Sequence, residues 1–206
     1  MEIPTLEREY ASRGFSAVAG VDEVGRGPLA GPVVCAAVVM PLSDALLVAG
    51  VNDSKKLSAK KRELLAERIR AAALAYAIEE IGADVIDEIN ILQATRLCMK
   101  RAVEKLSPPA DMVLTDGNMT LDIGLPQRSV VKGDALVYSI GAASILAKVH
   151  RDALMRDYAA LYPEYGFERN AGYGTAEHIR AIREVGICPI HRRTFVTKFW
   201  DGRERT

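Results

Sequence analysis

Two short runs of small and β-branched residues lie near the start of the chain, separated by a segment rich in Gly and Pro. Residues 17–22 and 33–40 consist mostly of Val and Ala, and each run is too short for a typical helix. We therefore predict two buried strands joined by a turn over residues 25–32.

The remaining patterns alternate between helices and short strands. Helices are predicted to start at Ser58, at Asn90 (with Gln93 completing a capping box), at Gly133 and at Thr175. The helix from Asn90 should stop before Pro108, and the one from Gly133 should pass through the core because its first half is apolar nearly all round. Weaker strands are expected over residues 76–81, 112–115 and 128–131. The pattern predicts an α/β sandwich with a helical C-terminal part.

Composition and charge limit the classes of function. The 206 residues are 49% hydrophobic and 26% charged, which is typical of a folded soluble protein. Lys and Arg (27) balance Asp and Glu (27), so a generally basic coat for nucleic acid is excluded. Basic residues concentrate in residues 51–70 and 186–206, which fits a polyanion held in one groove, with solvated helix faces as the alternative.

The cysteines and the apolar runs indicate the compartment. Cys35, Cys98 and Cys188 are far apart and form no CxxC pair, so we expect reduced thiols rather than disulfides or a zinc site. The longest apolar stretch, residues 33–42, is only about half a membrane span and contains Pro41. We therefore expect a cytoplasmic protein with no contact to a membrane.

Acidic residues stand at the ends of two predicted strands. Asp22 and Glu23 follow the first strand, and Asp116 follows the strand over residues 112–115. Polar sites collect at the carboxyl ends of strands in open α/β sheets, so these acids are expected to converge. Adjacent side chains point to opposite faces of a regular strand, so Asp22 and Glu23 reach one site only if the strand ends or bulges there. Ordinary turns are the alternative at both places.

A further acid lies near the start of the long helical segment. Asp134 follows Gly133, where an Asp is most simply an N-cap. Asp152 lies on the same helix face 18 residues later, about 27 Å away, so only one of the two can serve the same site. Lys148 and Arg151 favour ion pairing for Asp152, but the spacing alone does not choose between them.

The candidate ligands are all oxygens. Carboxylates from separated segments suit Mg²⁺ or Mn²⁺ rather than zinc, and such ions commonly serve phosphoryl chemistry. The turn at Gly25, Arg26 and Gly27 exposes backbone N–H groups, so a sugar or phosphate can approach it closely.

Six blocks of sequence resemble the signature blocks of bacterial ribonuclease HII, the type 2 ribonuclease H family. They are VDEVGRGPLAGP (21–32), NDSKKL (52–57), TDG (115–117), KGD (132–134), SIGAASILAK (139–148) and HRR (191–193). The resemblance implies an RNase H-like mixed sheet flanked by helices in a single catalytic domain, residues 1–206, with a helical substrate-binding part over residues 158–206. It also implies a metal-dependent endonuclease that cuts the RNA strand of RNA–DNA hybrids and cuts DNA at embedded ribonucleotides.

The resemblance assigns roles to individual residues. The catalytic and metal-binding carboxylates would be Asp22, Glu23, Asp116 and Asp134, which selects Asp134 over Asp152. Two ions, Mg²⁺ or Mn²⁺, would act in hydrolysis that leaves 3′-hydroxyl and 5′-phosphate ends. Substrate contacts would come from Gly25, Arg26, Gly27, Lys55, Lys56, Lys148, Tyr173, Arg192 and Arg193. Among these, the three loop residues would read the ribose 2′-hydroxyl, and Tyr173 would sit at the RNA-to-DNA junction.

Other expectations concern substrate positioning and the remaining aromatic residues. Gly174 and His150 depart from the family pattern, and the freedom of Gly174 would hold Tyr173 less rigidly. We expect His178 and His191 at the surface or beside phosphates, and Tyr10, Tyr158, Tyr162 and Tyr165 in packing. The protein is expected to be monomeric. Alternative functions are a related nuclease acting on DNA structures, or a catalytically silent nucleic-acid-binding module.

Overall fold

The computed structural model describes residues 5–51, 54 and 57–205. The strands are β1 Val18–Val24, β2 Val33–Val39, β3 Ala75–Ile81, β4 Met112–Asp116 and β5 Gln127–Val130. The helices are α1 Thr5–Ser12, α2 Ala59–Ala72, α3 Ala83–Glu104, α4 Gly133–Leu136, α5 Tyr138–Leu161, α6 Phe167–Asn170, α7 Ala176–Val185 and α8 Arg193–Val196. No helix in these ranges is long and apolar enough to cross a membrane.

The five strands form one mixed sheet in the order β3-β2-β1-β4-β5. β2 pairs antiparallel with β1 and β3, whereas β4 runs parallel to both β1 and β5. The carboxyl ends of β1 and β4 therefore lie at the same edge of the sheet. This confirms the predicted α/β fold and brings the two acidic strand ends together.

Both faces of the sheet are covered, which explains why β2 is apolar throughout. Val33, Cys35, Ala37 and Val39 pack on the face that carries α3. Their neighbours Val34, Ala36 and Val38 face the opposite way and pack in the cluster formed with α2 and α5. Alternate residues of a strand point to opposite faces, so a sheet buried on both faces needs continuous apolar strands.

The first turn of α5 lies directly against β1. A Cβ on Gly20 would stand 2.2 Å from the backbone nitrogen of Ile140, so only glycine allows this approach. The first half of α5, residues 138–147, is buried throughout, as predicted. The predicted single helix from Gly133 is wrong in one respect, because Val137 adopts an extended conformation and separates α4 from α5.

Asn90 caps a helical segment, but α3 begins seven residues earlier, at Ala83. Asn90 has a φ of 65°, and its Oδ1 atom accepts hydrogen bonds from the N–H groups of Leu92 (3.0 Å) and Gln93 (3.2 Å). The local capping prediction is therefore confirmed, whereas the first two turns of the helix were missed. At α2 and α7 the predicted caps Ser58 and Thr175 each accept a backbone hydrogen bond.

His178 and His191 are buried in the C-terminal region, so the prediction of surface positions is wrong. His178 Nδ1 lies 2.9 Å from the carbonyl oxygen of Tyr173, and the Nε2 atoms of the two rings are 3.0 Å apart. His191 Nδ1 accepts the backbone N–H of Cys188 at 2.9 Å. A carbonyl only accepts, so His178 carries its proton on Nδ1 and His191 carries its own on Nε2. Both rings are therefore neutral.

The histidine pair predicts a loss of stability in mild acid. Burial lowers the pKa of His191 to about 3, and burial also lowers the pKa of His178. His191 binds a proton near pH 6.5 in the unfolded chain but only near pH 3 in the folded protein. The free energy of unfolding therefore falls as the pH decreases through this window. We expect His191 alone to remove about 2–3 kcal/mol between pH 7.5 and pH 4.5.

Urea unfolding at the two pH values measures this loss, with His191→Gln as the reference. The variant should be less stable at pH 7.5 yet lose less stability on acidification. The same pH dependence in both proteins would contradict the assignment to His191.

Candidate active site

The ends of two parallel strands bring three carboxylates together. Val21 in β1 and Thr115 in β4 are directly paired, so Asp22 and Asp116 follow at the same level of the sheet. Glu23 is the next residue of β1, close to the end of that strand at Val24. These side chains lie at one edge of the sheet, as the sequence predicted, although β1 does not end at Asp22 and pairs with β2 as far as Val24.

Asp134 joins the group through the short turn after β5. Asp116 Oδ1 accepts hydrogen bonds from the N–H groups of Gly133 (2.7 Å) and Asp134 (3.4 Å). Lys132 adopts the left-handed conformation and occupies the N-cap position of α4, so Asp134 is not the N-cap. Asp152 instead contacts Lys148 at 2.6 Å and Arg62 at 3.6 Å. We call Asp22, Glu23, Asp116 and Asp134 the acidic edge.

The environment of the acidic edge disfavours negative charge. Burial raises the pKa of Asp22 well above its usual range, and the charges of Glu23 and Asp116 add to the increase. Burial also raises the pKa of Glu23, whereas the Arg26 guanidinium, 3.3 Å away, opposes this effect. Crowded, buried carboxylates are costly unless a cation compensates them.

The donor set fits a hard divalent cation. Glu23 Oε2 is buried and has no hydrogen-bond partner among the described residues, which leaves a carboxylate oxygen available to a ligand. Oxygen donors of this kind suit Mg²⁺ or Mn²⁺. Within the described ranges, no three His, Cys, Asp or Glu side chains are placed to hold a metal ion as they stand. The acidic edge therefore supplies the right atoms but not a finished coordination shell.

Residues 25–32, here called the glycine loop, connect β1 to β2 beside the acidic edge. Gly25 has a φ of 90°, and a Cβ there would stand 2.3 Å from Arg151 Nε. Gly27 is different, because its φ is not in the left-handed range and a Cβ would meet only Tyr173 Cε1, at 3.5 Å. Arg26 and Gly27 are exposed. A Cβ would therefore be strained and would clash within the protein at Gly25, whereas Gly27 offers open space.

Tyr173 stands beside the glycine loop with 49% of its surface exposed. Its N–H donates to Asn170 at 2.9 Å, and its carbonyl accepts the N–H of Thr175 at 2.8 Å. A Cβ on Gly174 would approach Leu29 Cδ1 to 3.0 Å, so Gly174 permits close packing of this segment on the loop. Backbone hydrogen bonds on both sides of Tyr173 fix its position next to Gly27.

Comparison with known proteins identifies the family. A model of the family described as ribonuclease HII matches residues 19–198. The chain belongs to the ribonuclease HII family. The ribonuclease HII of Chlorobium chlorochromatii is 58% identical over 186 residues, covering 88% of this chain and 90% of the relative.

Solved structures agree with this membership. The ribonuclease H2 of Pyrococcus horikoshii is similar with a TM-score of 0.76 and 28% identity, over 89% of this chain and 97% of the other. The ribonuclease HII of Archaeoglobus fulgidus, solved in complex with PCNA, has a TM-score of 0.75 and 27% identity, over 87% and 94%. The chain is therefore a ribonuclease H, and enzymes of this family depend on divalent metal.

Arg192 is buried inside the protein and does not reach a surface where it could contact a phosphate. Its side chain is fully buried, and its guanidinium donates to the carbonyl oxygens of Gly25, Arg26 and Gly31. The predicted phosphate contact is therefore wrong for Arg192, which holds the glycine loop from behind. Nothing in the sequence indicates that Arg192 is buried, because its neighbour Arg193 is exposed and pairs with Glu204 at 2.9 Å.

Lys148, another predicted substrate contact, and His150, which departs from the family pattern, each contact an acidic residue. Lys148 is half-buried and pairs with Asp152, and His150 contacts Glu80 at 2.6 Å. Lys55 and Lys56 lie outside the described residues. The predicted packing positions of Tyr10, Tyr158, Tyr162 and Tyr165 are confirmed.

Two polar residues of α5 that lie behind the site were missed. The Ser144 hydroxyl opposes the increase in the pKa of Asp22, and Arg151 donates to carbonyls of the glycine loop. They are seven residues apart, which places them on one face of the helix two turns from each other. Two polar residues at this spacing on one helix face were the available signal.

Proposed function

We propose that this ribonuclease H cuts the RNA strand of RNA–DNA hybrids and also cuts DNA at embedded ribonucleotides, by two-metal hydrolysis. The observation that carries the proposal is the position of the acidic edge beside an exposed, glycine-containing loop. This arrangement combines a site for phosphodiester chemistry with a surface that a sugar can approach. Family membership favours this function over a DNA-structure nuclease or a silent binding module.

The four carboxylates of the acidic edge would hold two divalent ions at the reacting phosphate. When bound, such ions supply a nucleophile at neutral pH and stabilise both the attacking and the leaving oxygen. Asp22 and Glu23 come from one strand, and Asp116 and Asp134 from separate segments, so the ligands surround the site from several sides. The hydrogen bonds from Gly133 and Asp134 orient Asp116.

The glycine loop would distinguish ribose from deoxyribose. Arg26 and Gly27 are exposed, and Gly27 has no Cβ to keep a sugar away from the backbone. Their N–H groups can donate to a 2′-hydroxyl oxygen, the group that separates RNA from DNA at a given position. The Tyr173 ring, which lies next to Gly27, would stack on the sugar or base at the RNA-to-DNA junction.

Duplexes of one sequence test the function. The enzyme is incubated in Mg²⁺ or Mn²⁺ with a DNA duplex containing one ribonucleotide, an RNA–DNA hybrid and an all-DNA duplex. We expect cleavage of the first two only, with 3′-hydroxyl and 5′-phosphate ends. A 2′,3′-cyclic phosphate would show attack by the ribose itself and contradict metal-assisted hydrolysis, whereas cleavage of the all-DNA duplex would favour the DNA-structure nuclease.

Basic side chains would supply sequence-independent contacts to phosphates. Replacing Lys55 and Lys56 with Ala is expected to weaken binding to hybrid and to plain DNA alike. The log–log dependence of affinity on salt should become shallower by about one to two units if each lysine meets a phosphate. Fluorescence anisotropy over a salt series in Ca²⁺ measures the slope, and an unchanged slope would place both lysines on a solvated face.

We also propose a domain organisation and an oligomeric state. A single catalytic domain over residues 1–206, with residues 158–206 binding substrate, would act as a monomer in the cytoplasm. Light scattering of the purified protein, alone and with a short duplex, gives the number of chains in each complex. A stable dimer in both samples would contradict the monomer.

A further inference from the structure

Arg192 is buried completely, and its guanidinium donates hydrogen bonds to backbone carbonyl oxygens of the glycine loop. Its Nε donates to the carbonyl of Gly31 at 3.1 Å, and one terminal nitrogen donates to the carbonyl of Arg26 at 2.9 Å. The other terminal nitrogen reaches the carbonyls of Gly25 and Gly31. One planar guanidinium therefore ties together the two ends of the glycine loop.

The charge of Arg192 has no carboxylate partner among the described residues. The Asp87 carboxylate, whose charge acts on Arg192, accepts the backbone N–H groups of Arg193 (2.7 Å) and Thr194 (3.0 Å) instead. Burial lowers the pKa of Arg192 to about 9, which reflects the cost of this environment. The Phe195 ring, whose centroid lies 5.2 Å from the Arg192 guanidinium carbon, adds a cation–π contact. A buried charge without a carboxylate partner is still expensive for the fold, which points to a role beyond stability.

The bonded carbonyls belong to two particular peptide units. The carbonyl of Gly25 shares its peptide unit with the N–H of Arg26, and the carbonyl of Arg26 shares its unit with the N–H of Gly27. In a trans peptide the N–H points away from the carbonyl, so these N–H groups face away from Arg192. A cation bound at a carbonyl oxygen withdraws electron density through the amide and makes its N–H a stronger donor.

We propose that Arg192 is a positioning residue that fixes and polarises the two peptide units whose N–H groups meet the ribose. The inference deepens the proposed function and rests on it. Arg192 never touches the substrate, and it acts through the peptide units of residues 25–27. It thereby sets how strongly the enzyme distinguishes a ribonucleotide from a deoxyribonucleotide.

Arg151 provides a matched control within the same loop. It is also buried, and it donates to the carbonyls of Pro32 (3.0 Å), Ala30 (3.1 Å) and Ala171 (2.9 Å). Its side chain packs against Gly25, but its hydrogen bonds hold the far end of the glycine loop and do not involve the carbonyls of Gly25 or Arg26. Replacing either arginine with Lys keeps a cation but removes the planar fork, so the two variants impose a similar structural loss.

The experiment compares the wild type with Arg192→Lys and Arg151→Lys. Affinity is measured in Ca²⁺ for a DNA duplex with one ribonucleotide and for the same duplex without it, and single-turnover cleavage is measured in Mg²⁺. For Arg192→Lys we expect cleavage at the ribonucleotide to fall about tenfold or more, and the affinity ratio of the two duplexes to move towards one. For Arg151→Lys we expect the wild-type affinity ratio, even if the fold is equally destabilised. Rates are normalised to the folded fraction from circular dichroism, and Arg192→Gln replaces Arg192→Lys if the latter does not fold.

The outcomes distinguish a failure of the proposed role of Arg192 from a failure of the proposed function. Equal affinity ratios in the two arginine variants would show that Arg192 only supports the fold and would overturn the inference, while leaving the proposed function intact. A wild type that neither prefers nor cuts the ribonucleotide duplex would overturn the proposed function and this inference with it.

Discussion

Asp116→Asn is expected to lower turnover by about a thousandfold or more while the protein stays folded and still binds hybrid. An amide keeps one oxygen to accept the N–H groups of Gly133 and Asp134, so the local structure should survive. It cannot supply the negative charge that holds a divalent ion at the reacting phosphate. Cleavage of a hybrid under saturating Mg²⁺ measures the effect, with binding in Ca²⁺ measured on the same substrate.

Asp22→Asn should lose turnover to a similar degree and also become more stable. The raised pKa of Asp22 means that its charged form is disfavoured in the folded protein, so a neutral isostere relieves a cost at pH 7. Thermal unfolding without metal should therefore show an unchanged or higher midpoint. Asp122→Asn is the matched control, because Asp122 is an exposed acid paired with Lys100 outside the acidic edge. Near-wild-type turnover of either acidic-edge variant would refute the site assignment.

Gly27→Ala should lower cleavage at a single embedded ribonucleotide by about a hundredfold without disturbing the fold. A Cβ there meets only Tyr173 Cε1 at an ordinary contact distance, so the free protein accommodates it. The same methyl group would occupy the space through which we propose that the ribose approaches the backbone. Duplex affinity in Ca²⁺ should change far less, since phosphate contacts elsewhere remain.

Gly25→Ala is the contrasting variant of the same loop. Its φ of 90° and the 2.3 Å approach to Arg151 predict a loss of stability, which Gly27→Ala should not show. Tyr173→Ala should resemble Gly27→Ala in cleavage, and Tyr173→Phe tests whether the ring or the hydroxyl is needed. Equal losses of cleavage and affinity in Gly27→Ala would mean that Gly27 does not read the sugar. Wild-type cleavage by both Gly27→Ala and Tyr173→Ala would remove the loop and Tyr173 from the recognition surface.

The acidic edge was largely predictable, because its residues are set by local signals. Asp22, Glu23 and Asp116 each follow an apolar run, and the ends of parallel strands meet at one edge. The position of Asp134 beside Asp116 depends on how residues 131–133 turn, which the strand and helix patterns do not encode. The resemblance to a family supplied that choice.

The support behind the glycine loop was not predictable from periodicity. The burial of His178 depends on hydrogen bonds to Tyr173 and His191, and the burial of Arg192 depends on loop carbonyls far earlier in the chain. Sequence patterns assign polar residues to the surface because most polar side chains in proteins are exposed to solvent. Only tertiary structure shows that these side chains find enough partners to be buried.

The most direct test varies a single sugar in an otherwise identical DNA duplex. One position carries ribose, deoxyribose or 2′-O-methylribose, and single-turnover cleavage by the wild type is measured in Mg²⁺. We expect cleavage at the ribose alone. Deoxyribose lacks the oxygen that the glycine loop would bind, and the methyl group of 2′-O-methylribose would collide with the backbone at Gly27. Equal cleavage rates at ribose and deoxyribose would contradict this expectation.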